Sequence, residues 1–325
     1  MQTVLVTAIL IIAIFLVVKG GDIVVDVCLK LSDVTGINDA LIGATVVSLA
    51  TTMPEIVITI LGMGQNSVDL VVGNGFGTIL VNICLVLGLS LAFISLKRIN
   101  QQTQKKIAFM LGLTALLAVL AFLKVLNVIT GVLFFIAFIY YFVKTFLDIK
   151  NDLVEKGKID EENPIEKVKT KPREKVLMVI WFVVGSLLIF AGAEMIIKCT
   201  EYFAETLKIS STVMGLTVVA IGTSLPELAT SIASIKKKRL NLAIGNVVGA
   251  NIINLTLLFS LMFMMSGMRG VILSVSELLI LIPVLLMASI ILCFPMLIKK
   301  RTYKFQGISL LALYAIYCII IIFLL

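Results

Sequence analysis

The chain has 325 residues, a formal net charge of +8 and a mean hydropathy of +1.15, and 60% of its residues are hydrophobic. Soluble domains are roughly 45–50% apolar, so this composition excludes an ordinary soluble fold. A membrane span needs about 20 predominantly apolar residues. The sequence therefore predicts an all-α integral membrane protein with ten transmembrane helices, in a lipid bilayer. The ten apolar segments are approximately 3–31, 40–62, 68–94, 104–123, 127–147, 175–205, 211–235, 240–266, 271–297 and 304–325.

Basic residues concentrate in alternate connections between the predicted spans. The intervening connections hold little more than Lys124, Lys208 and Arg269. The positive-inside rule therefore predicts a cytoplasmic central loop and both termini outside the cell. Topology explains the positive charge, so we expect no nucleic-acid partner. The basic clusters lie at 97–106, 144–175, 236–239 and 299–304.

One long polar stretch divides the chain. Residues 148–174 carry mixed charge and two prolines, Pro164 and Pro172, which is typical of a linker. We predict a first five-helix repeat at 1–147, a cytoplasmic linker loop at 148–174 and a second five-helix repeat at 175–325.

The two halves contain a sequence repeat. Aligned without a gap at an offset of 172, residues 43–89 and 215–261 share 15 identities in 47 positions, including a Pro-Glu pair and a Gly-Asn pair. An odd number of spans in each half gives the repeats opposite orientations in the membrane. Inverted repeats with broken helices at the midplane are typical of secondary transporters, and we predict that architecture here.

Each copy places a proline and a glutamate inside an apolar segment. Pro54 and Pro226 lack an N–H and so leave a backbone carbonyl free, which in lipid must line a polar cavity. Glu55 and Glu227 follow directly, and an intramembrane carboxylate is by default a functional-site hypothesis. Hard cations such as Ca²⁺ take six to eight oxygen ligands. The pattern therefore predicts one cation site built from both halves.

Each copy also carries two asparagines eight residues apart, nearly on one face of a helix. We expect the second of each pair, Asn82 and Asn254, to face the carboxylates. The first of each pair, Asn74 and Asn246, could instead form a structural hydrogen bond across helices. Thr78 lies on the same face as Asn74 and Asn82.

Both copies resemble the α-repeats of the cation/Ca²⁺ exchanger superfamily, most closely its sodium/calcium exchanger branch of prokaryotic type. The Gly-Thr-Ser-x-Pro-Glu form of the second copy is very specific. The resemblance covers the ten-span plan, the central loop and both copies. It implies two carboxylate Ca²⁺ ligands, flanked by Na⁺ sites made of hydroxyl, amide and main-chain oxygens. The implied ion-binding residues are Glu55, Glu227, Thr51, Thr223, Thr52, Ser224, Asn82, Asn254 and Thr78, with Ser48 and Ala220 contributing only carbonyls.

Three positions depart from the family's usual pattern. The first copy has Ala50-Thr51-Thr52 where Gly-Thr-Ser is usual. Ala250 stands where the family usually has a site serine, which removes one outer sodium ligand. Asn254 stands where some members have aspartate, which argues against potassium dependence.

The predicted function is a secondary active antiporter that exchanges Na⁺ for Ca²⁺ by alternating access. The resemblance implies an electrogenic exchange. A Ca²⁺/H⁺ antiporter remains open, because the same glutamates could carry protons. A channel would need a continuous polar path, whereas the polar residues concentrate at the midplane.

An enzyme is not expected. The chain has no histidine and no thiolate cluster to hold a catalytic transition metal. We expect no cofactor beyond the transported Ca²⁺ and Na⁺, and no required oligomer. The absence of long extramembrane domains fits a prokaryotic plasma membrane.

Overall fold

The computed structural model describes residues 2–95, 98–162, 172–206, 220–275 and 277–324, and the regular structure in these ranges is helical. Within them, nine helices are long and apolar enough to cross a membrane. The predicted span at 211–235 lies partly in 207–219, outside the described residues, and its described part is helical. The prediction of an all-α, multi-pass membrane fold is confirmed.

The first repeat consists of helices that are interrupted near its centre. A long α1 precedes a span that breaks at Thr52, and the next span contains a π-helical turn that begins at Asn82. The elements are α1 (Gln2–Thr35), α2 (Asp39–Ile42), a π-helical turn (Gly43–Val47), α3 (Ser48–Thr51), α4 (Met53–Gly64), α5 (Val68–Val81), a π-helical turn (Asn82–Leu87), α6 (Gly88–Phe93), α7 (Gln101–Phe122) and α8 (Val128–Glu162).

The second repeat follows the same plan. Its first broken span is interrupted at Ser224 and its next span has a π-helical turn from Asn254, at the positions equivalent to Thr52 and Asn82. The elements are α9 (Pro172–Thr206), α10 (Ala220–Thr223), α11 (Leu225–Lys236), α12 (Leu240–Ile253), a π-helical turn (Asn254–Leu258), α13 (Phe259–Ser266), a π-helical turn (Glu277–Leu281), α14 (Ile282–Ile298) and α15 (Lys304–Leu324).

The polar stretch between the repeats is helical on both sides. Helix α8 continues through 148–162, and α9 begins at Pro172. Residues 163–171 lie outside the described ranges. Proline is well tolerated in the first turn of a helix because its missing N–H would be unpaired there, which accounts for the start of α9 at this residue.

The two interrupted spans α5 and α12 form the centre of the molecule. Phe76 of α5 and Phe259 of α13 pack edge to face with ring centroids 4.6 Å apart, so side chains from the two repeats meet in one core. Helices α1, α8 and α9 lie at the periphery and expose large apolar side chains such as Ile11, Phe146 and Val179. That exposure is expected where the surrounding solvent is hydrocarbon.

Glycines allow the span that carries α3 to cross α12 at backbone contact. A Cβ atom on Gly43 would lie 2.5 Å from the carbonyl oxygen of Leu242, and a Cβ on Gly245 would lie 2.4 Å from that of Ala40. Small residues at helix crossings permit this approach in membranes. The glycines shared by the two copies therefore position the broken span against the opposite repeat.

The long helices α1 and α9 pack along each other, again at glycine. A Cβ on Gly20 would lie 2.6 Å from the Gly185 carbonyl oxygen, and a Cβ on the repeat-equivalent Gly192 would lie 2.8 Å from that of Ala13. At one end of the bundle, Lys237 bonds the Asp26 carboxylate at 2.8 Å. This ion pair connects α1 to the connection that follows α11.

We expect Gly43→Ala to destabilise the protein, because the added methyl group must displace backbone atoms of α12. Overpacking of this kind costs about 1–3 kcal/mol, which a lower midpoint of thermal unfolding in detergent would detect. Gly112→Ala is the matched control, since no atom lies within 4 Å of a Cβ at that helical position. Equal midpoints for the two variants would contradict the close crossing.

Candidate cation site

Two prolines interrupt two helices at equivalent points. Helix α3 ends at Thr51 and α4 restarts at Met53 with Pro54 in its first turn, because proline cannot complete the hydrogen bond that a continuous helix would require. Pro226 lies in the first turn of α11 in the same way. Each break thus places helix-end carbonyls beside the amino end of the next helix.

The breaks position the two acidic side chains. Glu55 and Glu227 lie in the first turns of α4 and α11, each a twelve-residue helix. The amino end of a helix favours a negative charge. Both residues are fully buried, and the two carboxylates are close enough to interact electrostatically. The structure therefore brings together the two glutamates that the sequence singled out.

The carboxylates are not paired with a basic side chain in the described part of the chain. None of the four carboxylate oxygens of Glu55 and Glu227 has a hydrogen bond of ordinary geometry there, and the Thr51 hydroxyl is a donor that lies toward Glu227. Burying an ionised carboxylate without a partner is very unfavourable, and two adjacent ones repel each other as well. Such a pair is relieved by a cation between the two side chains or by protonation of the carboxyl groups.

Further oxygens, at the second break and at the starts of the two π-helical turns, lack donors. Asn82 Oδ1, Asn254 Oδ1 and Ser224 Oγ are buried and have no partner among the described residues. Like the carboxylates, they are oxygen ligands of the kind that Ca²⁺ takes. The donor set consists of hard oxygen ligands and fits an alkaline-earth or alkali cation.

Reciprocal hydrogen bonds join each break to the opposite repeat. Thr51 Oγ1 donates to Asn246 Oδ1 at 3.4 Å, and Thr223 Oγ1 donates to Asn74 Oδ1 at 3.1 Å. These two pairs are related by the repeat. The side-chain oxygens of Asn74 and Asn246 thus take part in bonds across helices, as in the structural alternative for these residues.

The two pairs differ at the nitrogen end of the asparagine side chain. Asn246 Nδ2 donates to Thr230 Oγ1 at 2.8 Å. The position equivalent to Thr230 holds Ile58, which offers no acceptor, and Asn74 Nδ2 has no partner in the described ranges. The second repeat is therefore more firmly connected at this level than the first.

Thr78 lies beside the second break. Its hydroxyl is 3.1 Å from that of Thr223, and both side chains are buried. The equivalent position holds Ala250, also buried, which supplies no hydroxyl next to Thr51. The second break therefore has a pair of neighbouring hydroxyls, Thr78 and Thr223, and position 250 supplies no counterpart at the first break.

The carbonyls one turn before each break accept hydroxyl hydrogen bonds. Thr52 Oγ1 donates to the Ser48 carbonyl at 2.7 Å, and the single Thr223 hydroxyl proton is shared between Asn74 Oδ1 and the Ala220 carbonyl, 3.2 Å from Thr223 Oγ1. The proton of the Thr52 hydroxyl is thus used within its own span while its oxygen can still accept, whereas the Ser224 hydroxyl has no partner among the described residues. The two hydroxyls predicted to be equivalent have different surroundings.

Sequence comparison of the two copies missed two polar residues at the site, Asn251 and Thr230. Asn251 Oδ1 accepts a hydrogen bond from Asn82 Nδ2 at 3.1 Å, and Thr230 Oγ1 accepts one from Asn246 Nδ2. Their equivalents are Ile79 and Ile58, so a search for shared residues passes over both. The available signal was simply a polar side chain within an apolar span.

Helices α1 and α9 cover the breaks. A small cavity lies between these two long helices and both proline turns, and it marks where they meet the site. It is lined by Val24 of α1, by Ser186, Ile189 and Phe190 of α9, and by Ala50, Thr51, Pro54 and Pro226 of the broken spans.

The acidic charge of the site comes from two side chains. In the described ranges, no group of three or more His, Cys, Asp or Glu side chains lies together. Two carboxylates match the charge of one divalent cation. The same ligand chemistry offers nothing that a soft transition metal would prefer.

Thr230→Val should destabilise the protein by about 1–3 kcal/mol, because it leaves the buried Nδ2 of Asn246 without an acceptor. The midpoint of thermal unfolding in detergent measures the effect. Thr114→Val is the control, since the buried Thr114 hydroxyl bonds only the Met110 carbonyl of its own helix. A smaller loss for Thr230→Val than for Thr114→Val would contradict a stabilising hydrogen bond between Thr230 and Asn246.

Known proteins share the sequence and the fold over most of the chain. A family model described as sodium/calcium exchanger protein matches residues 5–147 and 177–323. The chain is 30% identical over 259 residues to inner membrane protein YrbG of Escherichia coli (strain K12), covering 79% of each protein. It is 25% identical to sodium/calcium exchanger MaX1 of Methanosarcina acetivorans, covering 97% of this chain and 98% of that one.

A solved structure of the sodium-calcium exchanger NCX_Mj, soaked with 2.5 mM Na⁺ and 10 mM Sr²⁺, superposes with a TM-score of 0.80. The sequences are 26% identical, and the match covers 97% of this chain and 98% of that chain. The family model, the prokaryotic relatives and the shared fold agree with one another. The chain is a multi-pass membrane protein that belongs to the sodium/calcium exchanger family of cation/Ca²⁺ antiporters.

Proposed function

We propose that this protein is a secondary active antiporter that exchanges Na⁺ for Ca²⁺ across the membrane by alternating access. The observation that carries the proposal is the pair of buried carboxylates, Glu55 and Glu227, which interact with each other and are paired with no basic side chain among the described residues. One Ca²⁺ between them would neutralise both charges and supply the missing partner.

The ligand set favours Ca²⁺ over softer divalent ions. The unpartnered atoms of Glu55, Glu227, Asn82, Asn254 and Ser224 include carboxylate, amide and hydroxyl oxygens, which are the ligands that hard cations prefer. The main-chain oxygens at the two breaks add to this set, because a helix end leaves carbonyls without N–H partners.

Sodium would compete for the same oxygens. Two Na⁺ neutralise the two carboxylates, and the flanking hydroxyls of Thr78 and Ser224 offer further ligands. If more than two Na⁺ enter the cluster for each Ca²⁺ released, the exchange moves net charge and is electrogenic. Ala250 removes one hydroxyl, so the sodium ligands are unequal on the two sides of the carboxylate pair.

Alternating access would arise from a difference in rigidity between two parts of the molecule. Cross-repeat hydrogen bonds and glycine crossings hold the broken spans together as a core. Helices α1 and α9 pack mainly on each other at Gly20 and Gly192 and cover the breaks. Sliding of this pair over the core would open the cluster to one side and close it to the other.

The membrane orientation follows the basic residues. We propose that the protein lies in a prokaryotic plasma membrane, with the loop 148–174 in the cytoplasm and both termini outside. The halves 1–147 and 175–325 would then be inverted with respect to each other. No partner beyond the ions and the lipid bilayer is required for the proposed cycle.

Calcium uptake into proteoliposomes tests the counter-ion. Vesicles loaded with Na⁺ and diluted into sodium-free buffer with Ca²⁺ should accumulate calcium, and vesicles with a pH gradient but no sodium should not. Uptake driven by the pH gradient alone would overturn the sodium assignment and identify a Ca²⁺/H⁺ antiporter. A membrane potential imposed with potassium and valinomycin should change the sodium-driven rate if the exchange is electrogenic.

Glu55→Gln and Glu227→Gln should each reduce sodium-driven calcium uptake to the level of empty vesicles. Each change removes one of the two charges and points an amide donor at the cation. Glu194→Gln is the matched control, because the Glu194 side chain is 55% exposed on α9 and pairs with Lys198. Wild-type calcium uptake in either site variant, with correct insertion, would refute the carboxylate pair as the calcium site.

A further inference from the structure

We propose that Asn251 is a positioning residue that holds the side-chain amide of Asn82 with its carbonyl oxygen turned toward the ion cluster. The inference rests on the proposed function, in which Asn82 is an ion ligand. It adds a residue that does not touch the ion but pairs with the nitrogen end of the Asn82 amide and so leaves the oxygen end for the ion.

The geometry consists of one short contact between the repeats. Asn82 Nδ2 donates to Asn251 Oδ1 at 3.1 Å, and both side chains are fully buried. An asparagine amide has a donor end and an acceptor end, and half a turn of the side chain exchanges them. With Nδ2 occupied by Asn251, the oxygen of Asn82 is the end left without a partner in the described residues.

The orientation matters because the two ends act oppositely on a cation. The oxygen is a hard ligand, whereas the NH₂ group presents partial positive charge. If Asn82 turned alone, its oxygen would face the Asn251 oxygen and two acceptors would be opposed. Both amides must therefore turn together, and a cation next to the carboxylates opposes that joint rotation.

The second repeat supplies a natural comparison within the same chain. Asn254 is the equivalent of Asn82, but the position equivalent to Asn251 holds Ile79. Within the described ranges neither Nδ2 nor Oδ1 of Asn254 has a partner. One asparagine of the pair is thus held by its neighbour and the other is not, although both begin a π-helical turn.

Local structure supports a role at the site rather than in general packing. Asn251 lies in α12, one turn before the π-helical turn that starts at Asn254, and Asn82 begins the π-helical turn after α5. Such turns are frequent at functional sites. Groups that orient a metal ligand without touching the metal typically contribute 10–100-fold to affinity.

A double-mutant cycle tests the inference. Asn251→Leu, which is similar in size but offers no acceptor, should raise the KM for calcium about 10- to 100-fold, with a much smaller change in maximal rate. Asn82→Ala should weaken calcium binding as well. The double variant should be no weaker than Asn82→Ala alone, because Asn251 acts through Asn82.

Two controls accompany the cycle, measured on the full chain in detergent and in proteoliposomes. Ile79→Leu, at the equivalent position of the other repeat, should leave the KM unchanged. Asn251→Ala carries the same expectation as Asn251→Leu if the leucine variant does not fold. The inference is overturned if the folded Asn251 variant binds calcium like wild type, or if the two single losses add in the double variant.

The antiport function and the role of Asn251 are tested by different measurements, so either can be refuted without the other. Sodium-driven uptake by the wild-type protein tests the antiport function. Equilibrium binding of ⁴⁵Ca²⁺ to the purified variants tests the role of Asn251 with no transport step. Calcium binding that is coupled between positions 82 and 251 supports the inference even if sodium does not drive uptake.

Discussion

The structure depends on one electrostatic constraint: two carboxylates, Glu55 and Glu227, are buried side by side within a membrane-spanning bundle. Such a pair of ionised groups is strongly disfavoured without a compensating charge, which in our proposal a cation held by the surrounding oxygen ligands supplies. The proline breaks do this, because each one frees backbone carbonyls and directs the amino end of a helix toward a carboxylate. The prolines and the glutamates therefore belong to one structural unit, in which the breaks position the carboxylates.

A site made of broken helices needs rigid support, since each break removes hydrogen bonds from a span that lipid cannot replace. Here the support comes from the opposite repeat. Thr51 bonds Asn246, Thr223 bonds Asn74, and Gly43 and Gly245 let the backbones touch. The cover over this core is of a different kind, because α1 and α9 pack chiefly on each other. In the proposed cycle, this contrast separates a rigid binding cluster from a pair of helices that slides over it.

Inversion of a repeat predicts symmetry, and the sequence was informative where the copies agree. The breaks at Thr52 and Ser224, the burial of both glutamates and the shared role of Asn74 and Asn246 follow from matched residues. Where the copies differ, side-chain contacts decide, and no pattern in one sequence reveals them. Asn251 is aligned with Ile79 and Thr230 with Ile58, so the repeat gives no sign of either contact. The three-dimensional structure shows that Asn251 bonds Asn82 and that Thr230 bonds Asn246. The two halves of the proposed cation site are therefore related by sequence but differ in their side-chain contacts.

Locating the bound ion tests the proposed shared cation site most directly. A crystal soaked with Ca²⁺ or Sr²⁺, with data collected for anomalous scattering, should contain one divalent ion between the carboxylates of Glu55 and Glu227. For calcium the distance to an oxygen of each should be about 2.3–2.6 Å. An ion bound to only one of the two glutamates, or bound elsewhere in the bundle, would contradict a single site shared by the two repeats.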